Sequence, residues 1–293
     1  MFEVVTKREL APKIVEMRVK APLIAASAKP GQFLIVRTDK FGERIPLTIC
    51  DYDSGEGTVT IVTQTIGVST EKINSLEAGE CFDDFAGPLG NPSDLLELPK
   101  DELMKLKVLF IAGGVGTAPV YPQVKWLKEQ GVTADVIIGA RTKELFTYVD
   151  EMKKVSNVYL CTDDGSEGFH GNVTTLMKHL IDNEGKHYDR CIIIGPMIMM
   201  KFTALTAKEY GLPSVVSLNA LMVDGTGMCG ACRVTVGGEV KFACVDGPEF
   251  DGHKVDFDQA MKRQQIYKTE EGRAFLKAKE GDTHHGGCGN CAS

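Results

Sequence analysis

With 293 residues, 43% hydrophobic and 25% charged, the chain is long enough for two domains and a small third, and its composition is that of an ordinary globular protein. A net charge of −7, with no basic run or basic–aromatic stripe, argues against a nucleic-acid partner. No apolar run is long enough to span a bilayer, and the start Met1-Phe-Glu-Val-Val-Thr-Lys7 lacks the basic and apolar regions of a secretion signal, so a cytoplasmic protein with no membrane partner is expected.

Residues 1–100 read as short strands. Lys13–Lys20 and Thr58–Thr63 alternate apolar and polar side chains, and Gly, Pro and Asp break the segments. One short helix is expected, after Gly67, which makes a small antiparallel β-barrel the natural arrangement. Over 101–220 the pattern changes. Val108–Ala112, Val136–Gly139, Val158–Leu160 and Cys191–Ile194 are apolar runs separated by helix-sized segments, and Ser214–Ser217 reads as the last strand. Buried strands alternating with helices predict a parallel sheet covered on both faces. Residues 221–280 are rich in Gly and Cys, then helical over Asp258–Lys279, and 281–293 has the composition of a flexible tail. The fold class is therefore mixed: a β-barrel, an α/β nucleotide domain and a small C-terminal domain.

Five segments of the first two regions carry candidate chemistry. Arg44-Ile-Pro46-Leu47-Thr48 sits late in a barrel strand, where Arg44 can neutralise a diphosphate and Thr48 can hydrogen-bond a flavin ring nitrogen; taken alone it is an ordinary strand. Gly67-Val-Ser69-Thr70 opens the short helix, with Ser or Thr as its cap. A capped start with free amides suits an anion, and a plain N-cap is the simpler alternative. Gly113-Gly114-Val-Gly116-Thr117 follows an apolar strand and opens a helix, the context that a phosphate-cradling turn needs; Pro119 stands where a third Gly is usual and is harmless in a first helical turn. Beyond the next strands, Asp163 and Asp164 can accept from ribose hydroxyls and repel a 2′-phosphate, and Gly195-Pro196-Met197 can shape a nicotinamide pocket. The rival readings are a solvated acidic loop and core packing.

The C-terminal segment is the most specific. Nine cysteines, an odd number with four in C-x2-C pairs, favour metal ligation or free thiols over a disulfide framework. Plant-type ferredoxins hold a [2Fe–2S] cluster with C-x4-C-x2-C and one distant Cys. Here Asp224, Cys229, Cys232 and Cys244 occupy that register, with Asp224 in place of the first Cys. Zinc bound by three Cys and Asp is a rival, though the spacing is unusual for it. So is a fourth ligand from Cys288 or Cys291, with Asp224 as a turn residue. Cys50, Cys81, Cys161 and Cys191 read as small buried hydrophobes.

In order and motifs, residues 1–220 resemble the ferredoxin–NADP+ reductase superfamily. The appended cluster segment resembles the electron-transfer subunit of class B dihydroorotate dehydrogenase. Its stretch Met222-Val-Asp224-Gly-Thr-Gly-Met-Cys229-Gly-Ala-Cys232-Arg is closer still to the small subunits of NADH-dependent reduced ferredoxin:NADP+ oxidoreductases and of the equivalent sulfide dehydrogenases. The resemblance implies FAD, at Arg44, Pro46, Leu47, Thr48, Val62 and Thr63 on the ring side and Gly67, Ser69 and Thr70 at the diphosphate, with Thr48 as the catalytic hydrogen-bonding residue. It implies NAD(H) at Gly113, Gly114, Gly116, Thr117, Asp163, Asp164, Gly195, Pro196 and Met197. It implies a [2Fe–2S] cluster on Asp224, Cys229, Cys232 and Cys244. It also implies a heterodimer with a larger flavin/[4Fe–4S] subunit, through which electrons reach ferredoxin and NADP(H) in bifurcating fashion. Ile194 stands where many superfamily members carry a Cys, so no catalytic thiol is expected there. The alternatives are the dihydroorotate dehydrogenase subunit itself, and a non-catalytic relay or zinc-stabilised scaffold.

Overall fold

A computed structural model describes residues 1–280; the Cys288/Cys291 pair lies outside the described residues. The first part is an antiparallel barrel of two sheets. One sheet orders its strands β5-β6-β2-β1-β7, from β1 (Phe2–Ala11), β2 (Ile14–Lys20), β5 (Asp51–Asp53), β6 (Thr58–Gln64) and β7 (Cys81–Phe82). The other orders them β4-β3-β8, from β3 (Phe33–Arg37), β4 (Ile45–Thr48) and β8 (Asp84–Leu89). Met17 and Val19 of β2, Leu34 and Val36 of β3 and Ile61 of β6 fill the barrel, which is the period-2 burial that their alternation demands. The helix expected after Gly67 is α2 (Val68–Ser75), and Pro22 at the first position starts a six-residue helix, α1 (Pro22–Ser27), that the strand reading had not included.

The second part is a seven-stranded sheet ordered β12-β11-β10-β9-β13-β14-β17. β9 (Val108–Gly113), β10 (Asp135–Ala140), β11 (Asn157–Thr162), β12 (Phe169–His170), β13 (Arg190–Ile194) and β14 (Ser214–Ser217) run parallel. Its two faces are both covered. Leu109, Ile111 and Ile193 pack beneath α6 (Val173–Asp182) and α7 (Met197–Glu209). Phe110, Ala112 and Ile192 pack on the opposite side with α4 (Thr117–Glu129) and α5 (Val149–Val155), while α3 (Lys100–Leu103) precedes β9.

The C-terminal segment is not a free appendage. After the hairpin β15 (Arg233–Val236) and β16 (Glu239–Phe242), the short strand β17 (Glu249–Asp251) joins the sheet antiparallel to β14, pairing Ser217 with Glu249. Phe33 and Ile35 of the barrel share one core with Cys232, Val234 and Cys244. The single helical stretch expected over Asp258–Lys279 is two helices, α8 (Phe257–Gln264) and α9 (Lys268–Glu280), separated at residues 265–267. Phe257 and Ala260 anchor α8 in the core, whereas α9 lies over α2.

Candidate functional site

The barrel and the parallel sheet meet at a cleft of about 460 Å³. Pro46, Leu47 and Thr48 of β4 and Val62 of β6 form one wall. Gly113, Gly114 and Gly116 after β9, with Gly195 and Pro196 after β13, form the other. β9 and β13 are neighbours, so their carboxyl-end turns meet there. The close approach explains the glycines: a Cβ on Gly116 would collide with the Ile194 carbonyl, and one on Gly195 would reach 2.8 Å from Met199 Cε. Gly114 adopts φ +56, which glycine takes without penalty. Thr117 begins α4 and is buried, its hydroxyl donating to the Gly114 carbonyl at 2.9 Å. It therefore braces the turn.

Three more parts of the cleft had no signal in the sequence. Cys50 lines it, buried, and donates to the Thr48 carbonyl at 3.4 Å; burial pushes its thiol far above the usual range. Leu218, Asn219, Ala220 and Met222 line it as the chain leaves β14, and Pro248 closes it from the C-terminal segment. Each is brought in by long-range packing, which local patterns do not encode.

Gly67, Ser69 and Thr70 line a second cavity, of about 580 Å³, on the other side of β4. Ile45 lines this cavity while Pro46–Thr48 line the cleft, so consecutive residues of β4 border both. The capping differs from expectation. Gly67, in extended conformation, is the N-cap, and Thr70 Oγ1 turns back to accept from the Ile66 and Gly67 amides at 2.9 and 3.0 Å. This binds the amides before the helix, while Gly67, having no side chain, leaves the first-turn amides without a side-chain cap. Ser69 donates to Glu43. The outer wall comes from α9, through Lys268, Glu271, Gly272, Ala274 and Phe275.

Several expected site residues stand elsewhere. Arg44 borders neither cavity: its Nη1 pairs with Asp84 at 2.8 Å and its Nε donates to the Val223 carbonyl at 2.8 Å, which ties the barrel to the loop before Asp224. Thr63 is buried on the opposite face of β6 from Val62, with its carbonyl accepting from Asn74 at 3.2 Å. Met197 packs into the core beneath the sheet. Asp163 and Asp164 are exposed after β11, two strands from β9 along the same carboxyl edge. The Ser166 hydroxyl and amide hold the Asp164 carboxyl below its usual range. Cys161 and Cys191 are buried as expected, and Cys81 is half-buried.

The loop 224–232 packs against the barrel, since a Cβ on Gly225 would reach 2.7 Å from Ile35 Cδ1. Gly225, Gly227 and Gly230 all have positive φ, so the backbone coils tightly. Asp224 accepts from the Thr226 amide at 2.9 Å and the Cys229 amide at 2.8 Å; the Thr226 bond above all lowers its proton affinity, leaving an anionic oxygen donor beside the exposed Cys229. Cys232 and Cys244 are buried with their sulfurs 3.2 Å apart, and burial with the neighbouring thiol pushes Cys244 up to about 12. The described residues hold no ready-made group of three or more metal-ligating side chains; they hold these two pairs. Three sulfur donors and one anionic oxygen, two by two in a glycine-rich coil, fit the donor set of a two-iron cluster, whose binding would displace the thiol protons.

This is the architecture of a nicotinamide–flavin reductase with an iron–sulfur segment built into its sheet. Residues 219–256 match the iron–sulfur cluster binding domain of dihydroorotate dehydrogenase B. An uncharacterised Clostridium beijerinckii protein, described by its position in the adh 3′ region, is 58% identical, with 99% of this chain and 98% of that protein covered. A Thermotoga maritima homologue of the dihydroorotate dehydrogenase B (NAD(+)) electron transfer subunit is 45% identical, with 92% of each chain covered. The solved structure of NADH-dependent reduced ferredoxin-NADP oxidoreductase, studied for flavin-based electron bifurcation, is similar with a TM-score of 0.85 and 40% identity over 95% of this chain and 98% of that one. The chain belongs to this family of electron-transfer subunits within the ferredoxin–NADP+ reductase superfamily. It is an NAD(H)-dependent oxidoreductase subunit with the fold for FAD and an iron–sulfur cluster. Such subunits belong to heteromeric complexes with a larger partner. Among the described residues, no helix is long and apolar enough to cross a membrane.

Proposed function

We propose that the chain moves electrons between NAD(H) and a larger flavin/[4Fe–4S] partner subunit through FAD and a [2Fe–2S] cluster, in a cytoplasmic heterodimer that couples ferredoxin and NADP(H). One observation carries this. A single cleft is lined by the flavin-type strand at Pro46–Thr48, by the glycine turns of the nucleotide sheet, and by Met222, two residues before Asp224. Rings bound in that cleft would stand beside the loop that begins at Asp224.

Thr48 and Val62 would bound the flavin ring, and the first-turn amides of α2 at Ser69 and Thr70 would meet the diphosphate. The position of β4 between the two cavities suits a dinucleotide that spans both. Gly113, Gly114 and Gly116 would admit the NAD(H) pyrophosphate, while Gly195 and Pro196 leave room for the nicotinamide. Asp163 and Asp164 are exposed at the edge where ribose hydroxyls need acceptors, which favours NAD(H) over NADP(H). Asp224 with Cys229, and Cys232 with Cys244, would hold the two irons. FAD, when bound, would supply the exchange between two-electron hydride chemistry and one-electron cluster chemistry.

Anaerobic purification, with visible and electron paramagnetic resonance spectra after NADH addition and iron and sulfide analysis, tests the assignment. Flavin absorption that bleaches, together with a reduced [2Fe–2S] signal, is the expected result. Flavin with zinc and no sulfide would refute it. The match of residues 219–256 gives a second reading, a dihydroorotate dehydrogenase partner, which the identity of the co-purifying subunit decides.

A further inference from the structure

Behind the cleft lies an acid that neither motif nor resemblance assigns. Glu249 opens β17 directly after Pro248, and both Pro248 and Ser217 line the cleft. Ser217 and Glu249 are cross-strand partners, so their side chains share one face of the sheet with Cβ atoms about 5 Å apart. The same face receives α4, where Gln123 stands one turn beyond Pro119, itself a cleft residue. Buried Gln123 donates to Glu249 Oε1 at 2.6 Å, while Glu249 Oε2 is shut from water with no hydrogen-bond partner. On its far side, Glu249 lines a third cavity, of about 960 Å³, whose rim is exposed.

We propose that Glu249 is the proton acceptor that links the redox cleft, at Ser217, to the solvent-facing outer cavity. The proposal rests on the flavin reading of the cleft. Each hydride taken from NADH brings one hydrogen nucleus and two electrons to the flavin. When both electrons leave singly for the cluster, one proton must also leave; among the described residues the cleft walls themselves carry no carboxylate, and Glu249 stands directly behind Ser217 and Pro248. The Glu249 carboxylate takes that proton and passes it to water in the outer cavity. The charged groups around it there are Asp94, ion-paired to Arg190 at 2.8 Å, with Glu97, Asp189, Lys208, Asp246, Asp251 and His253. Burial raises the acid most; the Gln123 and Ser93 side chains, and then Arg190, favour the carboxylate, while Asp94 favours the protonated form, and the balance brings Glu249 up to about 7, where it can accept and release in turn.

The test uses the full chain with its partner subunit and bound cofactors. Infrared difference spectra between the oxidised and NADH-reduced protein, in H2O and D2O, should show a carboxylic-acid band that changes with redox state and shifts in D2O. Glu249→Gln, which keeps an oxygen for Gln123, should lack it. Proton appearance, followed with a pH dye as ferricyanide withdraws electrons one at a time, should slow about 10²-fold in the variant. A wild-type spectrum without a redox-linked acid band overturns the proposal, as does the same band in Glu249→Gln. If that variant does not fold, Glu249→Asp replaces it: a displaced band supports the assignment, and an unmoved one overturns it. A wild-type protein without flavin absorption would instead remove the reading of the cleft.

Discussion

Replacing Glu249 by Gln removes a buried charge while keeping the acceptor for Gln123, so its effect on stability isolates the cost of that charge. The carboxyl ordinarily titrates near 4.5, and burial pushes it up to about 7. Between those values the folded chain holds a proton that the unfolded chain has lost, so the contribution to stability falls as pH rises through that window and is gone above it. At about 1.4 kcal/mol for each tenfold change in proton affinity, the full fall is about 3 kcal/mol by pH 8. For a chain of this size that corresponds to roughly 6–10 °C in melting midpoint. Denaturation of the cofactor-free protein at intervals from pH 5 to pH 8 reads the effect. Wild type and Glu249→Gln should differ by less than about 1 kcal/mol at pH 5, and the variant should be the more stable by about 3 kcal/mol at pH 8. Parallel pH curves for the two proteins would refute the reasoning, because they would mean that Glu249 is ionised at no cost in the fold.

Gly116→Ala drives a Cβ into the Ile194 carbonyl, so the turn must open; the affinity for NADH should fall at least about tenfold, about 1.4 kcal/mol, in a flavin-bleaching titration, and an unchanged affinity counts against that turn as the nucleotide site. Asp224→Cys should leave a cluster with an altered resonance spectrum and a shifted potential, and an identical spectrum and potential would exclude Asp224 as a ligand. Arg44→Ala should lower cluster content more than FAD content, since Arg44 spans Asp84 and the Val223 carbonyl at a cost of about 1 kcal/mol when removed; selective loss of FAD would restore its expected place at the diphosphate.

What was legible in the sequence was whatever a local pattern enforces. β9 reads as a strand because Val108–Gly113 is apolar throughout and bounded by a glycine turn, and the structure buries all six residues. The spacing of Asp224, Cys229, Cys232 and Cys244 is likewise a property of a short segment, and the structure brings Asp224 to the Cys229 amide and Cys232 to Cys244. The missed features depend on distant partners. β17 is three residues long and becomes a strand because β14 offers it an edge. Glu249 looks like any surface acid until Gln123, 126 positions earlier in the chain, closes over it. Arg44 has the composition of a phosphate ligand, yet Asp84 and Val223, both remote in sequence, hold it elsewhere. Val62 and Thr63 are adjacent in sequence and diverge because strand side chains alternate, so one of the pair reaches the cleft and the other does not.

The placement of β17 also bears on how the cluster loop and the cleft keep a fixed geometry. A segment hung on a linker would leave the distance between flavin and cluster to chance. Here the chain leaves β14, lines the cleft through Leu218–Met222, coils at Asp224–Cys232, and returns through Pro248 to pair with the strand that it left. Both ends of the loop are thus pinned to β14, at Ser217 and Glu249, while Gly225 presses on Ile35 and Arg44 grips Val223 from the barrel. Three anchors on two domains fix the loop against the cleft that they share, and the acid proposed to clear protons sits at one of them. A change that loosens β17 should therefore disturb electron transfer and proton release together, because one strand positions both.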